Sequence, residues 1–292
     1  MKVGIVPNTA KSEILAILKR VIEILDKNSV QYFLSVTTRQ IEGADLSFNT
    51  SKNFYSTKDL AENCDVILSL GGDGTMLNTA FEIKNFNTPL LGVNIGKLGF
   101  LAEFDIENFE LFLSDFKTGK YTIEDRVSLE GACPDIKEPL FALNDIVIDK
   151  GPWPKMIELT IKINEKELST FSADGLVIST PTGSTGYSLS VGGPIISPIA
   201  DVIVLSPIAP HTLTARPLVI AGDQEITIMV KSLAEKIQVS CDGQRVSFIN
   251  TSASLKIKKG TYKIKLIHSQ HYNYYETLRK KLFWGVDARN EL

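Results

Sequence analysis

The chain has 292 residues, of which 43% are hydrophobic and 22% charged, and this length predicts two domains with sizeable cores. The 31 Lys and Arg residues nearly balance the 34 Asp and Glu residues, so the net charge of −3 argues against a dedicated nucleic-acid-binding protein. Cys64, Cys133 and Cys241 lie far apart, which argues against a disulfide scaffold or a structural zinc site and favours a reducing compartment. We find neither a signal-peptide pattern nor an apolar run near the ~20 residues of a membrane span, and therefore expect a cytoplasmic protein without a membrane partner.

The first 120 residues alternate apolar runs with amphipathic patterns. The runs that predict strands span residues 2–6, 31–36, 64–70 and 89–94. Patterns with helical spacing occupy residues 11–27 and 75–84, and Asp105 is a candidate N-cap of a further helix. Residues 41–57 show no period and predict a loop. Buried strands that alternate with amphipathic helices predict an α/β domain whose parallel sheet is covered on both faces.

The pattern changes after residue 121. Short β-rich runs occupy residues 140–149, 156–164, 175–180, 202–205, 225–230, 237–241 and 262–267. Asp242-Gly243 predicts a two-residue hairpin turn, and the runs together predict a mainly-β, sandwich-like C-terminal domain. The helical pattern of residues 274–284 predicts a helix that returns to the first domain. We therefore expect an α/β domain at residues 1–121, completed by residues 268–292, and a β-rich domain at residues 122–267.

A glycine-rich turn, Gly71-Gly72-Asp73-Gly74-Thr75, follows the buried strand of residues 64–70 and precedes a helix. Glycines let the backbone turn sharply and approach a ligand, and the N–H groups of a helix N-terminus face an anion, so this turn is a candidate phosphate site. Asp73 would repel a phosphate unless it holds a metal ion or accepts a proton from a hydroxyl group. A tight turn with a solvent-facing Asp73 explains the motif about equally well, because neither common nucleotide fingerprint is present.

Three further stretches combine glycine or polar residues with strand-like runs. Residues 94–101 (NIGKLGFL) follow a neighbouring strand. Alone this stretch is explained by a simple βα connection, but its position allows it to face the first glycine turn. Asn144 and Asp145 lie side by side in an apolar strand pattern, where neighbouring side chains point to opposite faces, so one should face the interior or a ligand. An edge or a bulge at the domain junction is the alternative. Residues 174–194 (DGLVISTPTGSTGYSLSVGGP) offer short hydrogen-bonding groups and room for a planar ligand. The alternative is a Ser/Gly-rich loop between strands, which the strand-like entry of this stretch disfavours.

With GGDGT at 71–75, NIGKLGFL at 94–101, LNDIVI at 143–148, the long motif at 174–194 and CDGQ at 241–244, the sequence resembles the bacterial ATP- or polyphosphate-dependent NAD kinases. The motifs occur in order over most of the chain. GGDGT is shared with lipid kinases, whereas the motif at 174–194 is specific. The resemblance implies transfer of the terminal phosphoryl group of ATP, or of polyphosphate, to the 2′-hydroxyl of the adenosine ribose of NAD, which gives NADP. It also implies that the first domain binds the phosphate donor and the second binds NAD.

The resemblance assigns roles to particular residues. Asp73 corresponds to the proton acceptor and, with Gly74, to a dinucleotide contact, while Asn144 and Asp145 correspond to the pair that holds the ribose. The remaining positions that correspond to dinucleotide contacts are Lys155, Ser172, Asp174, Thr185, Gly186, Tyr187, Ser188, Leu189, Ser190 and Gln244. The phosphate-binding positions of the donor are Gly71, Gly72, Gly74 and Thr75. Gly186 replaces the commoner Ala, and Ser172 stands where many bacterial members have Arg, so the charged contact of those members is not carried over.

The implied partners are NAD and ATP, with no nucleic acid, in a homodimer or homotetramer. His211, His268 and His271 form no convincing metal-binding set, so we expect no metal held by the protein alone and Mg²⁺, or another divalent cation, that arrives with ATP. Two alternatives are a lipid kinase that shares the GGDGT turn and a non-catalytic NAD- or NADP-sensing protein. The lack of a basic amphipathic helix disfavours the first alternative, and the presence of Asp73 together with Asn144-Asp145 disfavours the second.

Overall fold

The structure is a computed structural model of the chain, and it describes residues 1–43, 54–96, 99–251 and 253–283. It contains two compact units, which we call unit 1 (Met1–Glu124 with Lys265–Leu292) and unit 2 (Asp125–Ile264). Among the described residues, no helix combines the length and the apolar character that a membrane span requires.

Unit 1 is an α/β unit built on one seven-stranded sheet. Its strands are β1 (Lys2–Pro7), β2 (Gln31–Ser35), β3 (Phe54–Tyr55), β4 (Val66–Gly71), β5 (Leu90–Asn94), β6 (Tyr121–Arg126) and β19 (Ile264–Ser269). Its helices are α1 (Ile14–Lys27), α2 (Thr57–Asn63), α3 (Asp73–Ile83), α4 (Ile106–Lys117) and α6 (Tyr274–Leu282), with a 3-10 turn at Val36–Gln40. The strand order is β3-β2-β1-β4-β5-β19-β6, and the pairs from β3 to β19 are parallel.

The central strands of this sheet are buried along their whole length, as continuous apolar runs predict. Leu18 and Leu25 of α1 and Phe109 of α4 share one core with residues of β1, β4 and β5. The predicted α/β class with a parallel sheet is therefore confirmed, and a last helix, α6, belongs to unit 1.

The predicted loop at residues 41–57 is only partly correct. Residues 44–53 lie outside the described residues, but Phe54–Tyr55 forms a strand and α2 begins at Thr57. The Ser56 side chain accepts the N–H of Asp59, and the Asp59 side chain accepts the N–H of Ser56, which is a capping box. A helix of seven residues has too few turns to show a period, so its cap was the only signal in the sequence.

Unit 2 contains two six-stranded antiparallel sheets. The first sheet has the order β11-β10-β15-β18-β7-β8, with β7 (Leu129–Ala132), β8 (Leu140–Ala142), β10 (Ile157–Ile163), β11 (Lys166–Ala173), β15 (Ile226–Lys231) and β18 (Ser254–Lys259). The second has the order β14-β13-β12-β9-β16-β17, with β9 (Asp145–Asp149), β12 (Gly175–Ser179), β13 (Val202–Ile208), β14 (Leu218–Ala221), β16 (Lys236–Cys241) and β17 (Arg245–Asn250).

Alternate residues of both sheets of unit 2 share one apolar core, which contains Leu159 and Ile161 of β10 together with Ile146 and Ile148 of β9. The predicted sandwich-like, mainly-β domain is therefore confirmed. The sequence Asp242-Gly243 does turn the chain between β16 and β17 with positive φ at both residues, as a primed turn needs. The register pairs Cys241 with Arg245, so three residues rather than the predicted two lie in this loop.

Candidate functional site

A strand–turn–helix arrangement places the GGDGT residues at the carboxyl end of β4 in unit 1. β4 ends at Gly71, Gly72 is the N-cap in an extended conformation, and α3 begins at Asp73 instead of at the predicted Thr75. No side chain caps this helix. Its N-terminal end carries the partial positive charge of the helix dipole, which suits an anionic ligand.

Different structural reasons account for glycine at the first two positions of this turn, Gly71 and Gly72. A Cβ atom at Gly71 would collide with the side chain of Thr75, whose hydroxyl accepts a hydrogen bond from Asn8 Nδ2 at 3.0 Å. Among the described residues, the nearest atom to a Cβ at Gly72 is Asn94 Oδ1, at 3.7 Å. Packing inside the turn therefore requires Gly71, whereas Gly72 leaves its surroundings open to a ligand.

The second glycine-rich loop lies next to the first one, as we predicted. β4 and β5 are neighbours, with Gly71 paired to Asn94, and the Ile95 N–H donates to the Gly71 carbonyl at 3.0 Å. Lys97 and Leu98 lie outside the described residues. The carboxyl ends of two parallel strands thus bring both loops to one edge of the sheet.

Asp73 binds this second loop through its carboxylate. Oδ2 accepts the N–H of Phe100 at 2.7 Å, and Oδ1 accepts the N–H groups of Leu101 at 3.0 Å and Ala102 at 3.3 Å. A Cβ atom at Gly99 would collide with the same carboxylate. The interpretation of Asp73 as a solvent-facing turn residue is therefore wrong. An ionised carboxylate has about four acceptor sites, so the donors among the described residues leave one site, on Oδ2.

In unit 2 the predicted strand of residues 140–149 is two strands, β8 and β9, separated by Leu143 and Asn144. The Asp242 carboxylate holds this break, because it accepts the N–H groups of Leu143 at 3.2 Å, Asn144 at 2.7 Å and Asp145 at 3.3 Å. Arg245 forms an ion pair with Asp242 at 2.7 Å.

The break changes where Asn144 and Asp145 point. The expectation that they face opposite sides of one strand is wrong, since Asn144 precedes β9 and the alternation of a strand does not apply to it. A Cβ atom at Gly186 would lie 3.7 Å from Asn144 Nδ2 and 3.9 Å from Asp145 Oδ2. Both polar side chains therefore reach the same place on the 174–194 segment.

Asp145 and Asn144 carry polar atoms that the fold leaves without partners. Asp145 is buried, and its burial, followed by the negative charge of Asp242, raises the pKa of Asp145 to about 7. The residues that the structure describes donate no hydrogen bond to its carboxylate. Asn144 Oδ1 is likewise buried without a partner among the described residues. Buried acceptors of this kind are costly unless a ligand or water donates to them.

Small residues let the 174–194 segment approach this pair. The chain forms a 3-10 turn at Thr182–Thr185 and a short helix, α5 (Tyr187–Ser190). A Cβ atom at Gly183 would collide with the backbone of Asn144. Tyr187 is half-exposed, and its burial and the nearby carboxylates of Asp149, Asp145 and Asp174 raise the pKa of its hydroxyl. This surface is therefore acidic and rich in hydrogen-bonding groups.

Comparison with known proteins identifies the family. Residues 3–121 match the model of the ATP-NAD kinase N-terminal domain, and residues 143–269 match that of the ATP-NAD kinase C-terminal domain. The NAD kinase of Natranaerobius thermophilus is 38% identical over 98% of this chain and 99% of its own, and that of Flavobacterium psychrophilum is 39% identical over 99% and 100%. The chain belongs to the NAD kinase family. This membership decides against a lipid kinase that shares the GGDGT turn.

Two solved structures resemble this NAD kinase family member over nearly the whole chain. Yeast NADH kinase, solved with NADH, gives a TM-score of 0.86 over 98% of this chain and 89% of its own, and at 24% identity it shows the fold alone. An NAD kinase from Archaeoglobus fulgidus, solved with ATP, gives a TM-score of 0.75 at 26% identity over 97% of this chain and 99% of its own.

Several residues that we predicted as dinucleotide contacts of the NAD kinase family are already engaged by the fold. The Ser188 side chain is buried, with its hydroxyl 3.0 Å from that of Ser206, and the Thr185 hydroxyl donates to the Thr182 carbonyl at 3.3 Å. Lys150 forms an ion pair with Asp174 at 2.7 Å. The Ser172 carbonyl accepts the His211 N–H at 2.9 Å. The side chains of Lys155, Ser190 and Gln244 are exposed, and that of Leu189 is half-buried.

Three residues with a part in these sites escaped the sequence-based predictions. Asn8 holds Thr75 from the carboxyl end of β1, which neighbours β4. Asp242 and Arg245 fix the turn that carries Asn144. Asp242 was noted only as part of the hairpin turn and the CDGQ motif, and Arg245 follows that motif directly.

Proposed function

We propose that the protein transfers the terminal phosphoryl group of ATP to the 2′-hydroxyl of the adenosine ribose of NAD. Membership of the NAD kinase family supports the reaction class. The observation that carries the acceptor half is the convergence of two polar side chains. Asn144 Oδ1 is buried without a partner among the described residues, and the Asp145 carboxyl group is buried with its pKa raised to about 7.

The chemistry of that pair suits the hydroxyl groups of a ribose. Each hydroxyl brings one donor and one acceptor, so the 3′-hydroxyl can donate to Asn144 Oδ1 or to Asp145, while the 2′-hydroxyl accepts from Asn144 Nδ2 and keeps its own proton for transfer to Asp73. Hydrogen bonds that a ligand donates to Asp145 favour its ionised form, which burial alone disfavours. Ligand binding and proton release at Asp145 are therefore coupled in this proposal.

The turn of unit 1 supports the donor half of the proposal. Gly72 and Gly74 lie at the N-terminus of α3, where the helix dipole favours phosphate oxygens. Phosphoryl transfer depends mainly on positioning and charge neutralisation, and Mg²⁺ bound to ATP supplies part of that neutralisation. Within the described part of the chain, no group of three His, Cys, Asp or Glu side chains is arranged to hold a metal ion, so we propose that the cation arrives with ATP.

Asp73 is our candidate for the proton acceptor. Three backbone N–H groups hold its carboxylate in one orientation and leave one acceptor site on Oδ2. In the proposed step the ribose oxygen bonds to the terminal phosphorus, the bond to ADP breaks, and the hydroxyl proton passes to Asp73.

Formation of NADP by the purified full-length protein tests the proposal. The protein is incubated with NAD, Mg²⁺ and either ATP or polyphosphate, and NADP is detected with an NADP-specific dehydrogenase and by mass spectrometry. Diacylglycerol as acceptor and a reaction without nucleotide are the controls. We expect NADP with at least one donor. If NAD binds in equilibrium dialysis but no donor or divalent cation yields NADP, the protein is a sensor and the proposed function is wrong.

We also propose that the protein assembles as a homodimer or homotetramer, as the family resemblance suggests. Light scattering coupled to size-exclusion chromatography measures the mass directly. A mass of 32.2 kDa at micromolar concentration is that of a single chain and would contradict this proposal.

A further inference from the structure

His268 and Glu103 form a pair in unit 1 for which the proposed reaction has no direct use. His268 lies on β19 and is almost fully buried, and its Nδ1 atom is 2.8 Å from Glu103 Oε2. The Ser269 N–H donates to the other oxygen, Oε1, at 3.4 Å. Because an ionised carboxylate can only accept, we assign the ring proton to Nδ1. The Tyr272 ring stacks on the imidazole, with the centroids 3.9 Å apart.

The pair has a structural connection to Asp73. Glu103 immediately follows Phe100, Leu101 and Ala102, whose N–H groups hold the Asp73 carboxylate. The next residue is attached to the sheet by its backbone, since the Asn94 N–H donates to the Phe104 carbonyl at 2.7 Å.

The segment that holds Asp73 is thus fixed at two points. The Phe104 backbone binds β5, and the Glu103 side chain binds β19 through His268. Packing alone does not explain the choice of this polar pair, because two apolar side chains of the same shape would contribute similar net stability. Orientation of the segment does explain it, because a hydrogen bond to a carboxylate fixes direction as well as distance.

We propose that His268 is a positioning residue for Asp73. Its Nδ1–H group orients Glu103, which sets the three N–H donors that hold the Asp73 carboxylate with one Oδ2 site free. His268 touches no reacting group in this scheme. The inference rests on the proposed function in one respect, since the positioning matters for turnover only if Asp73 takes part in the reaction.

Two substitutions of the histidine separate its donor from its ring. His268→Phe keeps the ring that stacks on Tyr272 but removes the donor. His268→Asn loses most of the ring but places an amide N–H donor close to the position of Nδ1. Glu103→Ala removes the half-buried carboxylate that accepts the hydrogen bond from His268. This variant still tests the pair if His268→Phe fails to fold.

Two measurements on the full-length protein test the proposal. In His268→Phe and in Glu103→Ala we expect faster amide hydrogen exchange at Phe100, Leu101 and Ala102, and a kcat that is lower by roughly 10- to 100-fold, with the KM for NAD little changed. His268→Asn should restore both values towards those of the unmodified protein. The double variant His268→Phe/Glu103→Ala should show the same exchange rates and the same kcat as either single variant, because each substitution breaks the same hydrogen bond.

The results that overturn the inference are distinct. Normal exchange and kcat in His268→Phe, together with impairment of His268→Asn, would assign the effect to the ring and its packing. Unchanged exchange at Phe100 to Ala102 in His268→Phe would show that the pair does not hold the segment. Hydrogen exchange needs no turnover, so a protein that makes no NADP would refute the proposed function and leave the exchange test of the pair intact.

Discussion

The Asp242 carboxylate accepts the Asn144 N–H at 2.7 Å, across 98 residues of sequence. The Asp242 side chain is completely buried and is paired with Arg245. Its charge adds to the effect of burial on Asp145, whose pKa rises from 3.8 to about 7. One carboxylate therefore shapes the turn that carries Asn144 and also makes its neighbour harder to ionise.

The raised pKa of Asp145 predicts that stability falls as the pH rises. Between the unfolded pKa near 3.8 and the folded pKa of about 7, the folded protein binds the proton more tightly, so each step up in pH favours unfolding. The penalty is complete above the folded pKa and is on the order of a few kcal/mol. Asp145→Asn should therefore raise the melting temperature at pH 8 by several degrees and change it little at pH 4.5.

Thermal unfolding of both proteins from pH 4.5 to 8.5 measures this effect. Asp223→Asn is the matched control, because Asp223 is exposed and its replacement should leave the pH profile unchanged. A melting temperature of Asp145→Asn that runs parallel to that of the unmodified protein over the whole range would mean that Asp145 is ionised without penalty.

Asn144→Ala and Asp145→Ala should weaken the binding of NAD while the fold remains intact. Each removes a hydrogen-bonding group from the proposed ribose site. A neutral hydrogen bond contributes about 0.5–1.5 kcal/mol and one to a charged group about 1.5–3 kcal/mol, so we expect a loss of affinity of roughly 2- to 10-fold for Asn144→Ala and roughly 10- to 100-fold for Asp145→Ala. Calorimetric titration with NAD measures the change. Asn250→Ala, which removes an exposed amide of the same type, is the control. Unchanged affinity and kcat in both variants would make the pair structural.

Gly186→Leu should raise the KM for NAD much more than the KM for ATP. A Cβ atom at this position lies 3.2 Å from the Gly183 carbonyl oxygen and under 4 Å from the side chains of Asn144 and Asp145, so a larger side chain fills the space in front of them. The backbone φ of −96° lies outside the left-handed region that favours glycine. Gly186→Ala is the matched control and should have a small effect. Equal increases for both substrates would exclude this segment from the dinucleotide site.

Asp73→Asn should lower kcat strongly while NAD still binds. The loss of a general base typically costs about 10²–10⁴ in rate. The amide also presents N–H donors to one of the three backbone N–H groups, so the loop at residues 99–102 should loosen. Steady-state rates and calorimetry on one preparation separate the two effects. A kcat within a few-fold of the unmodified value would assign the proton transfer to another group or to water.

Gly99→Ala perturbs the Asp73 carboxylate without changing Asp73 itself. The added methyl group would collide with the Asp73 carboxylate and displace it from its three donors. We expect a lower kcat, an NAD affinity close to normal and a melting temperature reduced by a few degrees. Normal turnover with a reduced melting temperature would show that the observed orientation of Asp73 is not needed for catalysis.

Local patterns in the sequence predicted the elements that depend on local properties. An apolar run followed by glycines and a helical period gave β4, the turn and α3, with the start of α3 displaced by two residues because Gly72 acts as its N-cap. The alternation at residues 159–163 gave β10 and its buried face. These features depend on secondary-structure propensity and on the burial of one face. Both can be read from residues that are close in the sequence.

The site details that escaped prediction depend on contacts between distant residues. The Asp73 carboxylate meets donors that are 27 to 29 residues away, and Asp242 meets Asn144. The break between β8 and β9 also needs Asp242 to satisfy three consecutive N–H groups, so the apolar run of residues 140–149 looks like one strand in the sequence. No local period carries such information.

The long-range hydrogen bonds of Asp242 have a consequence for the order of assembly. During synthesis, Asn144 and Asp145 emerge about a hundred residues before the aspartate that satisfies their N–H groups. Until the β16–β17 hairpin forms, the N–H groups of Leu143, Asn144 and Asp145 lack the Asp242 acceptor that holds them in the folded protein. The acceptor half of the proposed site is therefore a late product of folding, and a local opening of this one hairpin would erase it while most of the sandwich remained paired.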